Sequence, residues 1–351
     1  MTASMPAKSA VLPGEFVNLG DAMLSLAAAR RLSRDGGQVT VLPYRRPSEE
    51  VRSEFEKEGF EVIAMRDEPL RALRACGSGS IWIGGGHAIR NEISLGWLLF
   101  TTVVAGLAKA SGRTVRVIGS GATPIASGWR HRLFGRILAC CDRICVRDPL
   151  SAKALRADFP AVADRVERAG DLAFLDGCVH LPAGHPETSA CLVSPGIDVQ
   201  EGRVEDPSEI LKVLRDLFER CGMKHVIVVS HDSRTELGLD FCRSFAAAVQ
   251  EAMPVTVEVA AQGGIEHGLL QPYGRARWIV TGRLHGLIIG ALLRRSVIYT
   301  RGSASKLRPF AQLFDYQPAG ATDGDPFHAQ GDTIAQALAR QRVAAETNFS
   351  G

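Results

Sequence analysis

The sequence predicts an α/β protein made of two doubly wound parallel sheets, one in each of two domains. Three observations predict it. Strand-like and helix-like segments alternate along almost the whole chain. Several strand-like segments are continuous Val/Ile runs without polar alternation, as expected of strands covered by helices on both faces. A connector at residues 179–189, rich in Pro, Gly and His and without apolar period, interrupts the alternation near mid-chain. A chain of 351 residues is about two domains by length. Ten strands in a single open sheet would also be unusual.

The first half places strands at residues 38–42, 60–65, 80–83, 114–118 and 143–146. Helices are expected at 21–34, 92–109, 129–138 and 149–157. The first of these follows an Asp21 N-cap and carries apolar Met23, Leu24, Leu26, Ala27 and Leu32. The last opens on Pro149 after Asp148, a natural cap. The second half places strands at 190–193, 225–229, 256–259, 278–280 and 297–299, with helices at 207–221, 235–250 and 333–345. Pro207 stands in the first turn of one helix, whose stripe is Ile210, Leu211, Leu214, Leu217 and Phe218. The expected organisation is a first domain at 1–178, a linker at 179–189, a second domain at 190–330, and a helix and tail at 331–351. Ligands of such sheets bind at the carboxyl ends of the strands, here in the cleft between the domains.

Composition removes several functions. Lys+Arg number 41 against 38 Asp+Glu, a formal charge of +3, which argues against a nucleic-acid binder running on bulk charge. A hydrophobic fraction of 46% with 23% charged residues excludes wholesale disorder. The eight cysteines form no CxxC pair, and Cys140, Cys141 and Cys145 end an apolar stretch, where thiols act as small hydrophobes. No metal site is expected. Residues 1–13 lack an apolar core long enough for a secretory signal. The longest apolar run, 93–108, is shorter than the roughly 20 residues that span a bilayer. The expected location is cytoplasmic, with reduced thiols.

Six motifs could carry chemistry. Asn18, Gly20 and Asp21 precede a strong helix, and are either a capped turn or an anion-holding helix N-terminus. Gly84, Gly85, Gly86 and His87 follow a hydrophobic strand. One glycine serves a tight turn, and three would also let a ligand approach the backbone. Arg147 stands where a parallel strand delivers side chains, with a salt bridge to Asp148 or Asp142 as the structural alternative. His231, beside Asp232 at another strand end, either binds sugar hydroxyls or caps a helix. Lys306 follows the strand at 297–299 and offers a point charge to an anion. The most specific motif is Gly282-Arg283-Leu284-His285, between an apolar strand and an apolar helix. Burying such residues without partners is costly, so a strand-to-helix switch at a cleft suits them better. Arg supplies a planar fork for carboxylate or phosphate, and His a proton near neutral pH. The whole set suits a small anion carrying phosphate and carboxylate.

Gly-Arg-Leu-His-x-x-Ile-x-x-Ala at 282–291, Asn-x-Gly-Asp at 18–21 and the glycines at 84–86 resemble the polysaccharide pyruvyl transferase family. So do Val-Arg-Asp-x-x-Ser at 146–151, Gly-Asp-Leu-Ala-Phe at 170–174, and Lys306. The resemblance covers about residues 14 to 315. It implies two Rossmann-like domains facing a cleft, as in GT-B glycosyltransferases. The first domain would be the acceptor side and the second the phosphoenolpyruvate side. It implies transfer of the pyruvyl group of phosphoenolpyruvate onto two sugar hydroxyls of an exopolysaccharide or cell-surface glycan precursor. A cyclic ketal forms, phosphate leaves, and no cofactor takes part. Arg283 and His285 would bind the donor and catalyse, with Arg147 and Lys306 as further basic positions. Where the family usually has Gly-x-Pro, this chain has Arg294-Arg295-Ser296. A GT-B nucleotide-sugar glycosyltransferase and a catalytically silent subunit of a polysaccharide assembly complex are the alternatives. Open at this level are the acceptor sugar, whether it is lipid-linked, association with the inner membrane face, and homo-oligomerisation.

Overall fold

The computed structural model describes residues 8–350 apart from 15, 35, 127, 199–202, 205–206, 233–237, 261–262, 301–303 and 320–330. The chain forms two compact units, Met1–Val179 with Gln341–Gly351, and His180–Arg340.

The first unit runs β1 (Lys8–Leu12), α1 (Leu19–Ser33), β2 (Gln38–Val41), α2 (Glu49–Lys57), β3 (Glu61–Val62), α3 (Pro69–Cys76) and β4 (Ser80–Ile89). It continues with α4 (Leu95–Ala110), β5 (Val115–Ala122), α5 (Trp129–Cys140), β6 (Arg143–Val146), α6 (Pro149–Asp158) and β7 (Val166–Arg168). The strands form one seven-stranded sheet in the order β3-β2-β1-β4-β5-β6-β7, every pair parallel. Strand order therefore reverses between β1 and β4, and a crevice opens at such a switch point. Ile81, Ile83, Val115, Val117 and Ile144 pack with Trp97, Leu98, Phe134 and Leu138 of α4 and α5 in one core.

Three local differences from the sequence reading have physical causes. Strand β1 was not anticipated, because only Ala10, Val11 and Leu12 follow one another there. Its strand character comes from pairing with β2 on one side and β4 on the other. Helix α1 begins earlier than expected: Asn18, not Asp21, is its N-cap, and the Asn18 Oδ1 accepts from the Gly20 amide at 2.9 Å. Strand β4 does not end in a glycine turn but continues through Gly84, Gly85 and Gly86 to Ile89.

The second unit runs β8 (Glu187–Ser194), a short antiparallel pair of β9 (Ile197–Asp198) and β10 (Arg203–Val204), α7 (Pro207–Cys221), β11 (His225–Val228), α8 (Asp240–Ala252) and β12 (Thr256–Val259). It continues through α9 (Gln271–Arg275), β13 (Ala276–Thr281), α10 (Leu284–Leu292), β14 (Ser296–Tyr299), α11 (Ala304–Leu313) and β15 (Gln317–Pro318). Its six-stranded sheet has the order β12-β11-β8-β13-β14-β15, again all parallel, with the reversal between β8 and β13. Strand β8 starts at Glu187, inside the segment expected to be linker. Cys191, Val193, Leu214, Leu217, Val226, Val228, Trp278 and Val280 share its core.

Helix α12 (Gly331–Glu346) leads the chain back to the first unit. There the buried Asn348 accepts from the Gly119 amide of β5 at 2.7 Å. Its Nδ2 donates to Gly170 O at 3.0 Å and Ala345 O at 2.9 Å. Removing that amide leaves buried backbone groups unpaired. Asn348→Ala should therefore cost about 2–4 kcal/mol in urea unfolding. A loss within about 0.5 kcal/mol would mean that the tail does not hold β5.

Candidate functional site

At the carboxyl edge of the first sheet, α1 lies directly on β4. The three glycines of β4 have φ of 126°, 79° and 99°, values that L side chains rarely adopt. A Cβ at Gly86 would stand 2.4 Å from the Asp21 carboxyl, and one at Gly84 would stand 2.3 Å from Ile118 O. A Cβ at Gly85 would touch Ser25 Oγ at 3.4 Å. The room that the sequence reading gave to a ligand at these positions is occupied by the chain itself, chiefly by the first turns of α1.

Asp21 is buried, and the backbone amide of His87 donates to its carboxylate. Burial pushes this carboxyl up from the ordinary 3.8 to about 6. Arg90 and Arg147 pull it back down, while Asp171 raises it further. Arg147 follows β6 and is nearly enclosed, its guanidinium lying against Gly121. Its ion pairs are long, 3.4 Å to Asp171 and 3.8 Å to Asp148, and its buried Nε has no hydrogen-bond partner among the described residues. Asp148 is occupied as the N-cap of α6, accepting from the Ser151 amide at 2.8 Å. Asp171 is fully buried, accepts from the Ala173 amide at 3.0 Å, and is likewise pushed up by burial against the pull of Arg147. The result is two buried carboxyls and two arginines at one strand edge. Such a cluster can move a proton near neutral pH and hold an anion. Asn18 and Gly20 take part as cap and first turn, and His87 through its amide.

At the matching edge of the second sheet, β8 and β13 end side by side. Arg283 is the N-cap residue of α10 and is half-buried, as is Leu284, while His285 is buried. The Arg283 Nε donates to Pro195 O, just past β8, at 3.0 Å. Beneath this turn runs a chain of buried groups. The Tyr273 hydroxyl donates to Ser194 Oγ at 2.8 Å, and so must accept from His231 Nε2, also at 2.8 Å. Ser194 Oγ then meets Thr281 Oγ1 at 2.6 Å. Thr281 Oγ1 in turn accepts from the Arg283 amide at 2.9 Å. Burial, followed by the charges of Arg283 and His285, pushes His231 well below the ordinary histidine range, so it is neutral near pH 7. Gly286 permits this packing. A Cβ there would stand 2.4 Å from Thr281 Oγ1, 2.6 Å from Tyr273 Oη and 2.8 Å from Ser194 Oγ. His231 thus lies under the Arg-Leu-His turn, hydrogen-bonded to a tyrosine.

Asp171 stood in the sequence reading only as part of the Gly-Asp-Leu-Ala-Phe motif, without a role, and Ser194, Tyr273 and Arg90 were not singled out. Ser194 ends a Val/Leu run much as Thr281 ends β13, which was an available signal; Tyr273, far off in sequence, gave none. The Lys306 side chain lies outside the described residues. The departure at 294–296 also has a structure. Arg294 takes φ 54° in a helix-ending motif, with its amide on Ala291 O at 3.0 Å and the Arg295 amide on Gly290 O at 2.9 Å. An arginine holds the left-handed position that glycine favours, at a cost of about 1 kcal/mol.

The family model for polysaccharide pyruvyl transferases matches residues 18–301. This chain belongs to the polysaccharide pyruvyl transferase family. No curated protein matches it. Among solved structures, it is similar to a glycosyltransferase from Rickettsia africae, with TM-score 0.57, 11% identity, and 99% of this chain and 95% of that chain covered. The MnaA–UDP structure from S. aureus gives TM-score 0.55 at 11% identity, covering 99% and 93%. The Neisseria meningitidis UDP-GlcNAc 2-epimerase gives TM-score 0.54 at 10% identity, covering 98% and 94%. At such identities the likeness concerns the fold, and it gives this pyruvyl transferase family member the two Rossmann-like halves of GT-B-like proteins.

The raised Asp21 carboxyl makes a pH prediction. Between about pH 4 and 6 the folded chain keeps a proton that the unfolded chain has released, so stability falls as pH rises through that window and is level above it. Relative to Asp21→Asn, the native chain should lose about 3 kcal/mol of unfolding free energy between pH 4 and pH 7. Parallel stability curves for the two proteins would show that Asp21 titrates normally.

Proposed function

We propose that this chain moves the pyruvyl group of phosphoenolpyruvate onto two hydroxyls of one sugar in a glycan precursor, forming a cyclic ketal and releasing phosphate. The observation that carries the reading is the Arg283–His285 turn at the start of α10, built over a buried hydroxyl chain, in a chain of the pyruvyl transferase family. An arginine fork and a helix N-terminus suit a donor with both a phosphate and a carboxylate.

The steps balance without a redox partner or cofactor. His285 gives a proton to the methylene carbon of phosphoenolpyruvate, and the double-bond electrons form the new C–H bond. The adjacent carbon becomes oxocarbenium-like, and the first sugar hydroxyl adds there and releases its proton. Phosphate then leaves with its bonding electrons, the second hydroxyl closes the ring, and its proton is taken up by solvent or phosphate. Arg283 holds the donor anion throughout and stabilises charge on the departing phosphate. The neutral His231, under the turn, adds no further positive charge beside Arg283 and His285. The Asp21–Arg147 edge of the first unit is assigned to holding the acceptor sugar, and the proton of the first hydroxyl, like that of the second, passes to solvent or phosphate. Lys306 is a further anion contact in this proposal.

Steady-state kinetics test the two roles separately. His285→Ala should lower kcat by about 10² to 10⁴-fold. Arg283→Lys, which keeps the charge and loses the fork, should raise the KM for phosphoenolpyruvate by about tenfold or more. Near-native kcat in the first variant, or an unchanged KM in the second, contradicts the assignment. Release of a nucleoside diphosphate from a nucleotide sugar, with phosphoenolpyruvate untouched, would replace it with a glycosyl transfer.

A further inference from the structure

Helix α4 carries an apolar row on the outside of the first unit. Leu95, Leu99, Val103 and Leu107 recur at every fourth position and are 47%, 49%, 52% and 55% exposed. Trp97, Leu98, Thr101, Val104, Ala105 and Ala108 of the same helix are buried. Four-residue spacing makes one ridge along the helix, about 18 Å long at 1.5 Å per residue. Its lower end is uncrowded, since a Cβ at Gly106 would meet no atom within 4 Å. Single exposed leucines are ordinary on a protein surface, but an unbroken apolar row is not.

What flanks the ridge decides what it fits. Helix α5 packs against α4. Its Arg130 Nη1 donates to Ile93 O at 2.6 Å, which ties the start of α5 to the start of α4. That start carries the exposed Trp129, with the Arg130 guanidinium 4.5 Å from its ring centroid. Arg132 and Arg136 follow, both exposed. Helix α3 also packs on α4 and exposes Leu70, Arg71 and Arg74. Residues 93–141 contain six Lys and Arg and neither Asp nor Glu, although the whole chain is almost charge-balanced. At the margin Asp142 holds Lys109 at 2.6 Å and Glu68 holds Arg71 at 2.7 Å, while among the described residues the exposed Glu92 just before α4 is the one carboxylate beside the start of the ridge.

We propose that this face docks on the surface of an anionic lipid bilayer. The α4 ridge enters the boundary between headgroups and acyl chains, and the α5 arginines meet the lipid phosphates. Trp129 lies at headgroup depth, where an aromatic ring with one polar edge is favoured. None of the described helices is long and apolar enough to cross a membrane, so the contact is with one surface. Charge argues against a second copy as the occupant. Ridge-to-ridge docking about a two-fold axis would set the cationic α5 against its own copy.

Sedimentation with vesicles tests the proposal without requiring turnover, so its failure is separate from any failure of the proposed reaction. The full chain should bind vesicles of equal parts phosphatidylcholine and phosphatidylglycerol about tenfold more tightly than phosphatidylcholine alone. That binding should weaken as salt rises from about 0.1 M to about 1 M. The double variants Leu99→Gln/Val103→Gln and Arg132→Gln/Arg136→Gln change only exposed side chains and should each lose about tenfold in affinity, with unchanged thermal melting. No binding to the mixed vesicles would overturn the proposal. So would variants that bind like the native chain, or a solution dimer that Leu99→Gln/Val103→Gln turns into a monomer.

Discussion

Ser194 at the end of β8 and Thr281 at the end of β13 meet through their hydroxyls at 2.6 Å, inside a region with no exposure to water. The carboxyl edge of the second sheet is organised around this contact. Each hydroxyl must find both a donor and an acceptor there, because a buried hydroxyl without a partner costs about 1–3 kcal/mol. Tyr273 and His231 supply one side of the chain, and the Arg283 amide supplies the other. The backbone of the Arg-Leu-His turn is thereby tied to the sheet. Gly286 then becomes obligatory, since any side chain on it would press into three hydroxyl groups at once.

The first unit meets the same problem at its own switch point with charge instead of hydroxyls. Helix α1 presses Asp21 against Gly86, and the carboxyl loses its water. Arg90 and Arg147 compensate only in part, which leaves it near 6. Arg147 is itself held loosely, by ion pairs of 3.4 and 3.8 Å. Both units thus place titratable groups at strand ends, one with a neutral imidazole and one with a high carboxyl.

Much of this was legible in the sequence, for identifiable reasons. Continuous Val/Ile runs such as those of β11 and β13 require cover on both faces, so parallel sheets followed from them. Arg283 and His285 stood out because they interrupt an apolar passage. Strand β1 was not legible, because three apolar residues show no period and its strand pairing is entirely non-local. The meaning of the glycines at 84–86 was not legible either. Room for a ligand and room for a packed helix look alike in sequence, and only the position of α1 separates them. Asp21 read as a cap since Asp at a helix start usually is one; Asn18, three residues earlier, takes that part and leaves Asp21 free to be buried.

The central claim is that the methylene carbon of phosphoenolpyruvate takes up one proton as sugar hydroxyls bond to the neighbouring carbon and phosphate departs. Turnover in deuterium oxide, followed by NMR of the glycan product, measures that proton directly. The account predicts a ketal methyl carrying one deuterium, formed together with free phosphate. A ketal methyl without deuterium, or a product that contains no pyruvate carbon at all, would contradict it.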